Sequence, residues 1–188
     1  MRQVAALYVA TGGVYFDLPG VDPWDEPRDA KSYGGPAPVV AHPPCGPWGR
    51  MAQFCKQDPS CGPRAVEQVR AFGGVLEHPA GSRLFRACGM PHPGERPDEH
   101  GGTTVAVEQV SWGHPCRKPT WLYIVGLPLG LRSLQIRTGG TPTHKVRNRT
   151  AGNLLQASRG MRSRTPVDFR DWLIDVARSV VAPRDLAP

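Results

Sequence analysis

Apolar residues fall in short runs along the chain, and most of the runs stop at glycine or proline. Residues 4–10 (Val-Ala-Ala-Leu-Tyr-Val-Ala) read as a first buried strand, broken by Thr11-Gly12-Gly13. Val14-Tyr15-Phe16 reads as a second short extended piece, and residues 20–30 as an acidic loop interrupted by prolines. The next run, Val39-Val40-Ala41, ends at His42-Pro43-Pro44-Cys45. Proline fixes φ and pushes the residue before it into extended geometry, so this strand is followed by a stiff turn that aims the Cys45 thiol. Residues 64–72 carry apolar side chains at 65, 66, 69 and 72, which is helical spacing, with Gly73-Gly74 as a natural stop. Val75-Leu76-Glu77-His78-Pro79 then repeats the design of a short apolar strand ending in polar residues and a proline. Strand, helix and strand in this order predict a parallel crossover, with Cys45 and Glu77 side by side at the carboxyl edge of the sheet, where open α/β sheets bind ligands.

The second half of the chain is patterned differently. A short helical piece is expected around residues 82–88. Residues 103–110 alternate and are rich in β-branched side chains, and residues 121–125 form a further apolar run. The two read as an antiparallel pair closing the sheet. A final helix over residues 165–182 is expected to start with Pro166 at its first position. Its apolar face would be Val167, Phe169, Trp172, Leu173, Val176, Ala177 and Val180. The pattern as a whole predicts an α/β protein with a mixed sheet flanked by helices.

Length and charge narrow the partners. A chain of 188 residues suits one domain. No apolar run approaches the ~18 residues of a membrane-spanning helix, and the first residues turn polar too soon for a signal peptide. Five cysteines do not make a small disulfide framework, which points to a reducing cytoplasm with free thiols. The formal charge of +7 favours a polyanionic partner. Residues 131–160 carry Arg132, Arg137, Lys145, Arg147, Arg149 and Arg159 and no acid, a composition suited to phosphate contacts.

The chemistry centres on Cys45 and Glu77. A thiolate can attack an electron-poor ring carbon such as C6 of a pyrimidine, and a neighbouring carboxyl can hydrogen-bond or protonate the ring nitrogen of the same base. Trp48 and Arg50 follow the thiol closely, and the Trp48 ring can stack on an extruded base. His42 and His78 lie at the two strand ends and are candidates for lining a base pocket. Cys55 and Cys61 are weak candidates for a metal, because zinc pairs usually stand two to four residues apart.

Taken in order, the motifs resemble a known family. They are Val40-Ala41-His42-Pro43-Pro44-Cys45, Leu76-Glu77-His78-Pro79, Gly113-His114-Pro115-Cys116-Arg117-Lys118-Pro119-Thr120, and Arg162-Ser163-Arg164-Thr165-Pro166. Over roughly residues 36–180 the set resembles small phage and prophage proteins related to DNA C5-cytosine methyltransferases. The resemblance implies a trimmed Rossmann-like methyltransferase-type fold and a nucleophile at Cys45. It implies a base-contacting carboxylate at Glu77, and basic residues Arg117, Lys118, Lys145, Arg147 and Arg164 toward DNA. It further implies S-adenosyl-L-methionine as cofactor, with Thr11, Gly12, Gly13 and Asp25 as the remnant of its site, and the cytoplasm of a bacterial host as the location. The chain would then divide into a reduced cofactor-side segment (1–38), a catalytic core (39–130), a basic loop segment (131–164) and a C-terminal helix (165–182).

The departures are equally specific. The family's Phe-x-Gly-x-Gly loop is absent, and His78 stands where that family has asparagine. The alternatives are therefore a phage-type pyrimidine modification by the same thiol attack without S-adenosylmethionine, or a catalytically inactive DNA-binding module of the same fold.

Overall fold

The computed structural model of the protein describes residues 1–128, 134–146 and 154–181. Six strands form one sheet: β1 (Val4–Leu7), β2 (Val21–Trp24), β3 (Val39–Ala41), β4 (Gly74–Pro79), β5 (Thr103–Glu108) and β6 (Pro119–Val125). Their spatial order is β2-β1-β3-β4-β6-β5. The first four strands run parallel, and β6 is antiparallel to both of its neighbours, β4 and β5.

The central strands are apolar at consecutive positions because both faces of the sheet are covered. Alternate residues serve different layers. Val4, Ala6, Val40, Val75, Leu122 and Ile124 pack with Phe169, Leu173, Val176 and Ala177 of α4 (Val167–Ser179). Ala5, Leu7, Val39, Ala41, Leu76, Tyr123 and Val125 face the other way. They meet Ala65, Val66 and Val69 of α1 (Cys61–Phe72), and Leu84 and Phe85 of α2 (Arg83–Ala87). The result is an α/β architecture with a six-stranded mixed sheet between helical layers, compatible with a Rossmann-like arrangement. Among the described residues no helix is long and apolar enough to cross a membrane.

Gly74 opens β4 at φ +124°, and a Cβ there would fall 2.0 Å from the Val39 carbonyl oxygen. Glycine lets the two central strands approach at the point where α1 hands over to β4. Gly62 has a packing role: a Cβ would lie 2.5 Å from Trp48 Nε1 and 2.8 Å from Leu84 Cδ1. Gly62→Ala is expected to lower stability by about 1–3 kcal/mol through overpacking, read as a fall in thermal midpoint. An unchanged midpoint would show that Trp48 is not held against α1.

Several local expectations are corrected. The first strand ends at Leu7, and Val14-Tyr15-Phe16 forms turns, not an extended piece. The stretch expected as an acidic loop contains β2, an edge strand in which Pro23 is tolerated because one side has no partner. Helix α1 starts three residues before the expected Arg64, since Pro63 fits the first turn. Helix α4 is capped by Pro166 and begins one residue later, and Val167 is 49% exposed, outside the apolar face. Beyond the sheet, β7 (His144–Lys145) and β8 (Leu155–Gln156) form a small parallel pair, followed by α3 (Arg159–Ser163).

Candidate active site

Parallel strands β1, β3 and β4 end at the same edge, and the connections that leave them bring polar side chains together. The His42 N–H bonds the Leu7 carbonyl at 3.0 Å, extending the β3–β1 ladder past Ala41. Ala41 pairs with Leu76, so His42 and Glu77 follow their strands on one face, the face covered by α4. His42 Nδ1 lies 3.2 Å from Glu77 Oε2, and Tyr15 Oη lies 2.7 Å from His42 Nε2. Gln109 Nε2 donates to Glu77 Oε1 at 2.7 Å and to Thr120 Oγ1 at 3.0 Å. Thr120 Oγ1 also donates to Glu77 Oε1 at 3.4 Å, so three segments converge on one carboxylate, a fourth supports it through His42, and both of its oxygens are engaged.

Burial alone would raise the Glu77 carboxyl. The hydrogen bond from His42, and the charges of His42, Lys118 and His78, outweigh burial and hold it at about 2. Glu77 is therefore ionised and accepts hydrogen bonds; it has no proton to give to a ring nitrogen at neutral pH. Burial also drives the Tyr15 phenol well above its ordinary range, so it stays protonated as a partner for His42.

Cys45 lies beyond Pro43-Pro44, at the start of the helical turn Gly46–Trp48. It lies in a cleft of about 430 Å³ whose walls include Trp48, Arg50, His78, Ser82 and Arg83. Glu77 is not in that lining. On β4 successive side chains point to opposite faces, so Glu77 turns toward the α4 layer and His78 toward the α1 and α2 layer, where the cleft opens. The residue Cys45 is exposed, yet its Sγ faces enough protein that burial raises the thiol. The Glu77 charge adds to this, and Lys118 acts in the opposite direction.

Lys118 adopts φ +44° and sends Nζ to the Arg164 carbonyl at 3.0 Å. Burial lowers its pKa, while Glu77 and Cys45 act to keep it charged. His78 is 1% exposed, and neither ring nitrogen has a hydrogen-bond partner. The Glu77 charge and then the Pro44 carbonyl favour its charged form. Burial still dominates and lowers the pKa of His78 to about 4.

The remaining candidate residues are dispersed. Arg117 is paired with Glu108 on the exposed rim, and Arg164 contributes its backbone carbonyl. Lys145 sits in β7, next to the segment whose N–H groups bond the Pro115 carbonyl. Arg147 lies outside the described residues, as do Arg132 and Arg149. Arg137 pairs with Asp168 of α4 at 2.8 Å.

Thr11, Gly12 and Gly13 share the turn after β1, and Thr11 is bonded to Asp25. Asp25 is 5% exposed; its Oδ2 accepts from Thr11 Oγ1 at 2.7 Å and its Oδ1 from the Arg28 N–H at 3.2 Å. Each Asp25 oxygen thus accepts one hydrogen bond from within the chain, and the close approach at Gly13 is to the Ala10 carbonyl of its own turn. Cys55 Sγ lies 3.5 Å from Gln57 Oε1, and Cys61 begins α1. Among the described residues no group of three or more His, Cys, Asp or Glu side chains is placed to hold a metal ion.

Tyr15, Gln109, Thr120 and Arg83 are site residues that sequence reasoning missed. The chain matches no protein-family model and no curated protein.

Proposed function

We propose that the protein is a DNA base-modifying enzyme in which Cys45 attacks C6 of a pyrimidine. The observation that carries the reading is the thiol itself. A stiff Pro-Pro turn presents it in a cleft at the carboxyl edge of the sheet, with the Lys118 ammonium close enough to favour its thiolate. In the step proposed, the Cys45 proton leaves to solvent and Sγ bonds to C6. The C5=C6 electron pair moves to C5, which takes up a proton from water. Loss of the other C5 hydrogen and breaking of the Sγ–C6 bond restore the ring. Glu77 serves this chemistry through its hold on His42 and Gln109, not as an acid. No donor is assigned to the group finally transferred; of the residues expected toward S-adenosylmethionine, Thr11 and Asp25 bond each other. The net positive charge supports a nucleic acid as the carrier of the base.

The step needs no co-reactant, so it can be tested alone. In heavy water, an oligonucleotide containing cytosine should exchange its C5 hydrogen for deuterium when incubated with the protein, read by mass spectrometry. Adding S-adenosylmethionine and finding a methyl group at C5 would identify methyl transfer. Absence of exchange with cytosine- and uracil-containing strands alike would overturn the nucleophile reading and favour the inactive binding module.

A further inference from the structure

The cleft beside Cys45 is one-sided in charge. Arg50 and Arg83 are in its lining, and no acidic residue is. Arg50 has no hydrogen-bond or acidic partner among the described residues. Arg83 donates Nη2 only to carbonyls, those of Pro47 at 3.3 Å and Gly49 at 3.1 Å. Both guanidinium charges are therefore unneutralised, and Arg83 is already fixed to the turn that carries Cys45. His78 is also in the lining; the residue is 1% exposed and both ring nitrogens lack a hydrogen-bond partner. Buried polar atoms are seldom left without partners, and a ring without them in a cleft lining is one that a bound molecule can satisfy. The Trp48 ring adds a flat apolar surface. The cleft volume of about 430 Å³ lies at the lower end of the range of roughly 300–1,000 Å³ typical of small-ligand sites, which suits one nucleotide unit.

We propose that this cleft is a nucleotide site in which Arg50 and Arg83 take the phosphate, Trp48 packs against the base, and His78 hydrogen-bonds the base edge. The proposal rests on the reading of Cys45 as a base-directed thiol, but its phosphate half is tested without chemistry. The probe protein is Cys45→Ser, titrated by calorimetry with deoxycytidine, deoxycytidine 5′-monophosphate and a single-stranded oligodeoxycytidine. The nucleotide or the strand should bind about tenfold to hundredfold more tightly than the nucleoside, the usual worth of a charge-assisted hydrogen bond. Arg50→Gln, a surface change that leaves the fold intact, should remove that advantage and leave nucleoside binding unchanged.

His78→Phe should weaken all three probes by about tenfold. Should that variant not fold, Arg50→Gln still decides the proposal. Binding by the strand alone assigns the phosphate to a chain; binding by the mononucleotide as well extends the site to free nucleotides. Equal affinity for nucleoside and nucleotide, no effect of Arg50→Gln, or no binding by any probe would overturn the proposal. Intact binding without C5 exchange would instead sink the role given to Cys45 and leave the nucleotide site standing.

Discussion

Replacing Cys45 by alanine should abolish C5 hydrogen exchange, a loss on the order of 10⁴-fold or more, as expected when a covalent nucleophile is removed. The same variant should retain its thermal midpoint, because the residue is exposed and substitutions at such positions usually change stability by no more than about 0.5 kcal/mol. The pairing of the two results matters: loss of exchange together with loss of fold would say nothing of mechanism. The pH profile gives a second handle. Burial and the Glu77 charge raise the Cys45 thiol, so at neutral pH only a small fraction is thiolate. In wild-type protein exchange should therefore climb by roughly tenfold per pH unit through neutrality, the signature of a thiol that must ionise before it attacks. A rate that is flat between pH 7 and 8.5 would place the ionisation elsewhere. Retained exchange in Cys45→Ala would remove the thiol from the mechanism altogether.

How much of this could be read from the chain differs between the sheet and the site. The parallel core was legible because β1, β3 and β4 are buried on both faces and so are apolar without interruption. Helix α1 was legible because Ala65, Val66 and Val69 repeat at helical spacing against that sheet. Strand β2 was hidden by Pro23 and by its acidic neighbours, which an edge strand tolerates and a central strand does not. The parallel pairing of β3 and β4, the strands that lead to Cys45 and Glu77, was predicted and observed. The faces were not foreseen. One step of strand alternation separates Glu77 from His78, and it hands the cleft to the histidine and the α4 side to the carboxylate. Tyr15 and Gln109 were invisible for a related reason. Their partner is fixed by three-dimensional convergence of loops, and nothing in Val14-Tyr15-Phe16 or Glu108-Gln109-Val110 marks a bond to His42 or Glu77.

That division of labour recasts the carboxylate. A group that gives both oxygens to His42, Gln109 and Thr120 is built to stay charged and in place. It fixes three elements around the strand ends while its field keeps Lys118 charged and raises the thiol. Gln109 is wholly buried, with its own Oε1 unpaired, and so depends on Glu77 for its orientation. The apparatus beside the cleft is thus a rigid charged support, and the cleft-lining polar group on β4 is its neighbour, His78.

The same two neighbours should make the fold sensitive to acid, in two steps of the same sign. His78 has a folded pKa of about 4, below its usual 6.5. Between these values the unfolded chain binds a proton that the folded protein refuses, so stability is complete above about pH 6.5 and falls as pH drops toward 4. Glu77, at about 2 against a usual 4.5, continues the trend: the unfolded carboxyl is protonated first, and stability falls further from about pH 4.5 toward 2. Each shift corresponds to roughly 3 kcal/mol at full effect, a large share of the stability of a domain this size. Urea midpoints measured at pH 7.5, 5.5 and 4 should decline steadily, most of the loss over this range coming from His78. In His78→Phe, which cannot titrate, the decline between pH 6.5 and about 4.5 should shrink to the part left by His114, whose pKa burial also lowers, and a drop below about 4.5 should remain, lessened because the His78 charge no longer helps hold Glu77 down. A wild-type midpoint that is level from pH 7.5 to 5 would show that His78 is charged inside the fold, with a partner for its second proton.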